Sequence, residues 1–312
     1  MIISASRRTD LPTYYSDWFL HRLREGYVCV RNPMNFHQVS QIPLTPDVVD
    51  GIVFWTKNPI PMLPKLDQLK DYPYYFQFTL NAYGPDVEAH VPSKSALIIP
   101  AFQALSRRIG AERVIWRYDP ILLTPRYTVD YHVRYFEEIA KRLAGYTHKC
   151  VISFLDLYGS TKRAMSQLAL LPPGEGEMVE LAARLAEIAG RYRLVIESCA
   201  EKIDLSRFGI AHGHCVDRRL FEQLLGQPLA LEKDPGQRPE CGCMASIDVG
   251  MYDTCGNGCA YCYATHSAAT AARRIGAHDP RSPLLCGTLT PEDRITLRKV
   301  HSCKRGQVSL FD

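Results

Sequence analysis

The chain has 312 residues, 46% of them hydrophobic and 22% charged, a balance that excludes wholesale disorder and suits one large domain or two ordinary ones. No run of 18 apolar residues occurs, so no membrane helix is expected, and the opening Met1-Ile2-Ile3-Ser4-Ala5-Ser6-Arg7-Arg8 puts its basic residues after the apolar ones, the reverse of a signal peptide. The net charge of +4 resides in residues 271–312, and eleven cysteines in what is then expected to be a cytoplasmic protein point to metal binding or chemistry rather than disulfides.

In chain order, apolar runs of strand length fall at Ile2–Ser6, Gly51–Trp55, Tyr74–Leu80, Val114–Tyr118, Cys150–Leu155 and Leu194–Ser198. Amphipathic stretches separate them, the clearest being Tyr127–Ala144 and Met178–Arg191. Strands buried on both faces by crossover helices make a parallel sheet, so residues 1–227 are expected to form an α/β body, a full or partial TIM-type (β/α) barrel. In such folds chemistry gathers where the strands end. The runs here lead into Arg7, Arg8 and Asp10; Lys57; Asn81; Arg117 and Asp119; Ser153 and Asp156; Glu197 and Cys199. The proline-rich segment 228–240 is read as a linker, 241–270 as a cysteine-rich portion, and 271–312 as a basic tail that meets either phosphate or solvent.

The sharpest local signal is Cys255-Gly256-Asn257-Gly258-Cys259-Ala260-Tyr261-Cys262, a C-x3-C-x2-C spacing behind the apolar stretch Ile247–Tyr252. At this cysteine content chance supplies about 0.014 such triplets per chain. Its glycines let a short loop curl so that three sulfurs converge, and three thiolates on a [4Fe-4S] cluster leave one iron open. This triplet, with Tyr261 before its last cysteine, resembles the signature of the radical S-adenosylmethionine (SAM) superfamily. The resemblance implies that SAM binds the open iron and is cleaved reductively to a 5′-deoxyadenosyl radical, which abstracts hydrogen from a substrate. The motif normally follows the first barrel strand; here it comes last, which implies a circularly permuted barrel closed by the Ile247 strand beside Ile2–Ser6. In that ring order Thr9-Asp10, Thr56-Lys57-Asn58-Pro59, Thr79-Leu80-Asn81 and Arg117-Tyr118-Asp119-Pro120 resemble the spore photoproduct lyase-like branch. End to end, the chain resembles a bacterial domain family of unknown function. Two other classes remain open on these residues: a non-catalytic iron–sulfur electron-transfer protein, and a zinc-stabilised nucleic-acid-binding protein.

Cys199, Cys215, Cys241 and Cys243 are the right number to close a second, auxiliary [4Fe-4S] cluster, with zinc as the alternative and plain buried thiols as the structural one. SAM offers a carboxylate, a ribose and an adenine, for which Arg117, Asn81, Asp119, Ser153 and Tyr261 are candidates. Lys57, Arg117, Asp119 and Glu197 are the candidate catalytic groups, and Arg7, Arg8 and Asp10 could meet a substrate phosphate or form structural ion pairs. Expected partners are a flavodoxin- or ferredoxin-type electron donor and no membrane. The end, Gln307-Val308-Ser309-Leu310-Phe311, resembles a peptide that docks into the bacterial sliding clamp; with the basic tail it would favour a DNA-associated substrate.

Overall fold

The structure is a computed structural model that describes residues 1–156 and 168–305. Gln307–Phe311 lie outside the described residues. The elements are β1 (Ile2–Ala5), α1 (Leu11–Tyr14), α2 (Ser16–Glu25), β2 (Tyr27–Asn32), β3 (Asn35–Pro43), β4 (Gly51–Thr56), β5 (Tyr74–Thr79), α3 (Ile99–Ile109), β6 (Val114–Ile121), α4 (Val129–Leu143), β7 (Lys149–Phe154), α5 (Glu175–Arg191), β8 (Val195–Ser198), β9 (Ala211–His212), α6 (Arg218–Leu225), β10 (Ile247–Asp248), α7 (Ala268–Gly276) and β11 (Arg294–Leu297).

Eight strands form one parallel sheet in the order β10-β1-β4-β5-β6-β7-β8-β9. The C-terminal strand does lie beside the N-terminal one, with Ile3 opposite Ile247 and Ser4 opposite Asp248. It does not close a barrel: β10 and β9 are the two edges of an open sheet. Pairing with β1 ends at Asp248 because its carboxylate takes over, accepting from Ser4 Oγ (3.0 Å), Ser6 Oγ (2.5 Å) and Arg7 N (2.8 Å).

Period-two alternation sorts the strand residues onto two faces. Ile3, Ala5, Ile52, Phe54, Phe76, Phe78, Trp116 and Ile152 face the main core, which α2, α3, α4 and α5 cover. The opposite face starts apolar, with Ile2, Val53, Tyr75, Ile115 and Val151 packed on Leu220 and Phe221 of α6. Two residues further along each strand that face turns polar, with Ser4, Trp55, Gln77, Arg117 and Ser153. A helix thus floors the carboxyl ends of the sheet, and the residues above the floor are left facing an opening.

A three-stranded sheet, β11-β3-β2, stands beside this opening. Sequence periodicity did not suggest it, since β11 joins β3 across some 250 residues of chain. The segment read as a linker is packed: Leu229 and Leu231 are buried, and Ala230 N donates to Cys303 O at 2.7 Å. Among the described residues no helix is long and apolar enough to cross a membrane.

Candidate functional site

The opening at the carboxyl ends of the strands leads into a cavity of about 940 Å³. Its walls hold Cys199, Cys215, Cys241, Cys243, Cys255, Cys259 and Cys262, all with free thiols, and none of the other four cysteines. Cys29, Cys150 and Cys286 are instead buried in apolar surroundings.

At one end the C-x3-C-x2-C loop is held in place by residues 87–90. Ala260 N donates to Val87 O (2.8 Å), His90 N to Asn257 O (3.1 Å), and Glu88 bridges antiparallel to Cys259. Gly258 has φ +64°, a left-handed conformation that a side chain would strain, and an added Cβ would sit 3.0 Å from the His90 ring. Asp10, which caps α1, anchors the loop: it accepts from Thr56 Oγ1 (2.8 Å), Lys57 N (2.8 Å), Thr13 N (3.1 Å) and Asn257 Nδ2 (3.1 Å). Its oxygens are fully engaged, so Asp10 positions the loop and is not placed to meet a substrate.

The electrostatic centre of this end is Glu88, 2% exposed, which no motif marked. It takes Lys57 at 2.7 Å and Lys94 on its other oxygen. Tyr261, between the second and third cysteines, donates its hydroxyl to Glu88 at 2.5 Å and accepts from Lys57 at 2.7 Å. Burial alone would raise the Glu88 carboxyl; the two ammonium groups outweigh it and hold it down at about 2. Burial also pushes the Cys255 thiol up to about 12 and raises Cys259, so thiolates here need a compensating cation. Asn81 is buried behind Tyr261 with its amide on Asp119 O (3.0 Å). It supports the wall from behind and is not placed to reach a ribose.

The opposite end holds the other four cysteines. Tyr75 and Gln77 of β5 fix Cys215 by donating to its carbonyl at 2.7 and 2.9 Å. Arg117 donates from Nη2 to Asp119 (2.5 Å) and from Nη1 to Gln77 Oε1 (3.3 Å) and Cys215 Sγ (2.6 Å). Its donors, which the sequence reading offered to a SAM carboxylate, are therefore taken by Asp119, Gln77 and Cys215. Asp119 also accepts from Ser153. Arg8 pairs with Asp248 at 3.1 Å, a structural ion pair, whereas Arg7 has only Asp234 at 4.0 Å and leaves Nη2 without a partner. Glu197 pairs with Lys149 at 2.9 Å outside the cavity wall, so it is not placed for catalysis there, and Asp156 pairs with Arg238. His214 is a loop histidine whose Nδ1 meets Gly242 O at 2.5 Å. Among the described residues no three His, Cys, Asp or Glu side chains are set out for a single metal ion.

A family model described as a domain of unknown function, DUF1848, matches residues 2–264. The chain belongs to the DUF1848 family. No curated protein matches it. The DUF1848 match ends just beyond Cys262, so it takes in all seven cysteines of the cavity and stops before α7 and β11.

Proposed function

We propose that this DUF1848 chain is a radical SAM enzyme in which Cys255, Cys259 and Cys262 hold a [4Fe-4S] cluster whose remaining iron binds SAM. The observation that carries the reading is that these three free thiols, carried by one anchored loop, all line a cavity at the carboxyl ends of a parallel sheet. In this reading the open sheet is a partial (β/α) barrel in circularly permuted order, with the cluster loop following β10. The donor set fits: the three cysteines are half-buried residues with free thiols that line the cavity, and a bound iron cluster would supply positive charge to their thiolates. The cavity lies at the upper end of the range for small-molecule sites, roughly 300–1,000 Å³, which leaves space for a substrate beside the cofactor.

The chemistry such a site supplies is one-electron cleavage of the SAM sulfonium to methionine and a 5′-deoxyadenosyl radical, the electron coming from a flavodoxin- or ferredoxin-type donor. The chain's own residues orient and shield. Lys57 and Glu88 lock Tyr261 and with it the two cysteines on either side. Asp10 fixes Asn257 at the other side of the loop. Trp55 and Thr79 line the same cavity as both cysteine sets.

The test is anaerobic purification followed by reduction in the presence of SAM. The expected protein is brown, rich in iron and poor in zinc, and forms 5′-deoxyadenosine. A colourless zinc protein, or an iron protein that leaves SAM intact, overturns the reading. The first of these results would favour the zinc-stabilised class and the second the electron-transfer class.

A further inference from the structure

The four-cysteine end of the cavity has no part in SAM cleavage as described. Its residues come from distant places in the chain: Cys199 follows β8, Cys215 lies between β9 and α6, and Cys241 and Cys243 precede β10. Yet they share one wall of the cavity. The Cys199 and Cys215 sulfurs are 3.3 Å apart, and Cys241 and Cys243 belong to the same buried cluster. They sit on the apolar floor beside Val151 and Phe221. Buried cysteines acting as small hydrophobes would account for one or two of them. They would not account for the guanidinium that reaches Cys215 or the second one nearby. Arg117, 5% exposed, donates to Cys215 Sγ at 2.6 Å, and Arg7 lies over the Trp55 ring at 5.2 Å where Arg117 lies at 5.3 Å. Asp119 already takes the Nε and Nη2 donors of Arg117, so a cluster sulfur would give its remaining Nη1 donor a charge-assisted acceptor.

We propose that Cys199, Cys215, Cys241 and Cys243 hold a second [4Fe-4S] cluster, closed by four protein thiolates, with Arg117 and Arg7 offsetting its negative charge. Its binding releases four thiol protons and fastens the segment bearing the C-x3-C-x2-C loop to the sheet. Iron–sulfur is taken over zinc because no described group is set out for a single ion. A donor on a ligand sulfur and a nearby cation are also the levers that raise a cluster's potential. The proposal does not depend on SAM chemistry at the other end.

The experiment uses the full chain with Cys255, Cys259 and Cys262 all replaced by alanine, purified anaerobically and analysed for iron, sulfide and zinc. Wild type is expected to carry about eight irons and the triple variant about four, lost when Cys199→Ala and Cys215→Ala are added. In the triple variant Arg117→Gln is expected to keep the iron and shift the midpoint potential to a more negative value. A folded triple variant without iron, or with one zinc in its place, overturns the proposal; an unmoved potential overturns the part given to Arg117. If the triple variant does not fold, Cys199→Ala/Cys215→Ala in the intact loop decides: about four irons support the second cluster, and an undiminished count overturns it. Eight irons without SAM cleavage would sink the SAM reading and leave this one standing. Cleavage by a wild type with only four irons would do the opposite.

Discussion

The two ends of the cavity solve the problem of buried sulfur differently. At the loop end the three cysteines lie within eight residues, and the charge beside them is organised at one remove: Lys57 and Lys94 neutralise Glu88, and Glu88 holds Tyr261. At the floor end four cysteines come from three segments, and Arg117 touches a sulfur directly. The loop end leaves its cations occupied by a carboxylate, so a small molecule can approach without competing with a fixed guanidinium. The floor end is saturated by the chain itself. Three ligands with indirect charge support suit an open site, and four with direct support suit a closed one.

The largest expected effect separates the ends outright. Cys259→Ala should abolish 5′-deoxyadenosine formation, because the loop has no spare ligand, while changing the melting temperature little. Cys241→Ala/Cys243→Ala should lower the melting temperature strongly, because a closed metal site contributes folding free energy directly. Paired activity and thermal-unfolding measurements check both, and the contrast between the ends breaks if the two variants exchange phenotypes.

The next effect tests the indirect charge support. Glu88→Gln leaves Lys57 and Lys94 buried together without their anion, and removing one member of a buried pair costs about 3–5 kcal/mol. Denaturant unfolding should show that loss, and adding Lys94→Met should recover part of it. Wild-type stability in Glu88→Gln would mean that the carboxylate does not organise this end.

How far this was legible in the sequence follows from how local each feature is. The six apolar runs emerge as β1, β4, β5, β6, β7 and β8, and the two amphipathic stretches as α4 and α5, because alternation and helical period are carried by neighbouring residues. The cysteines stood out by spacing and by number. Glu88 did not: it is one of two acids in the loop Gly84–His90, and only a tertiary bridge to Cys259 gives it meaning. Arg117 was noticed for the right reason, a cation at a strand end, but which end of the cavity it serves depends on the return of Cys215 onto β5 and β6. The open edge was equally hidden, since β9 and β10 are two residues long and their pairing is cut short by side chains such as Asp248.

The smallest effect supplies a baseline that involves neither cysteine set. His132 of α4 is fully buried on the helix-covered side of the sheet. Its Nε2 lies 2.9 Å from Leu122 O, and a carbonyl only accepts, so Nε2 carries the proton and Nδ1 accepts from the Tyr118 hydroxyl at 2.8 Å. The rings of Tyr83, Tyr118 and Tyr131 surround it, and burial raises all three phenols, so they stay neutral in acid. Burial depresses His132 from 6.5 to about 4. Between those values the unfolded chain binds a proton that the folded chain refuses, so the stability from this residue is complete above pH 6.5 and falls as the pH drops toward 4. The loss across that window is about 3 kcal/mol. The part of the pH 7 to pH 4 change in denaturant midpoint that His132→Gln removes should be the same in the metal-free chain and in the alanine variants of either cysteine set, while Glu201, raised to about 7 by burial, works in the opposite direction in all of them. A slope that disappears with one set of cysteines would place the acid-sensitive group inside the cavity and make that end, rather than the helix-covered core, the source of the pH dependence.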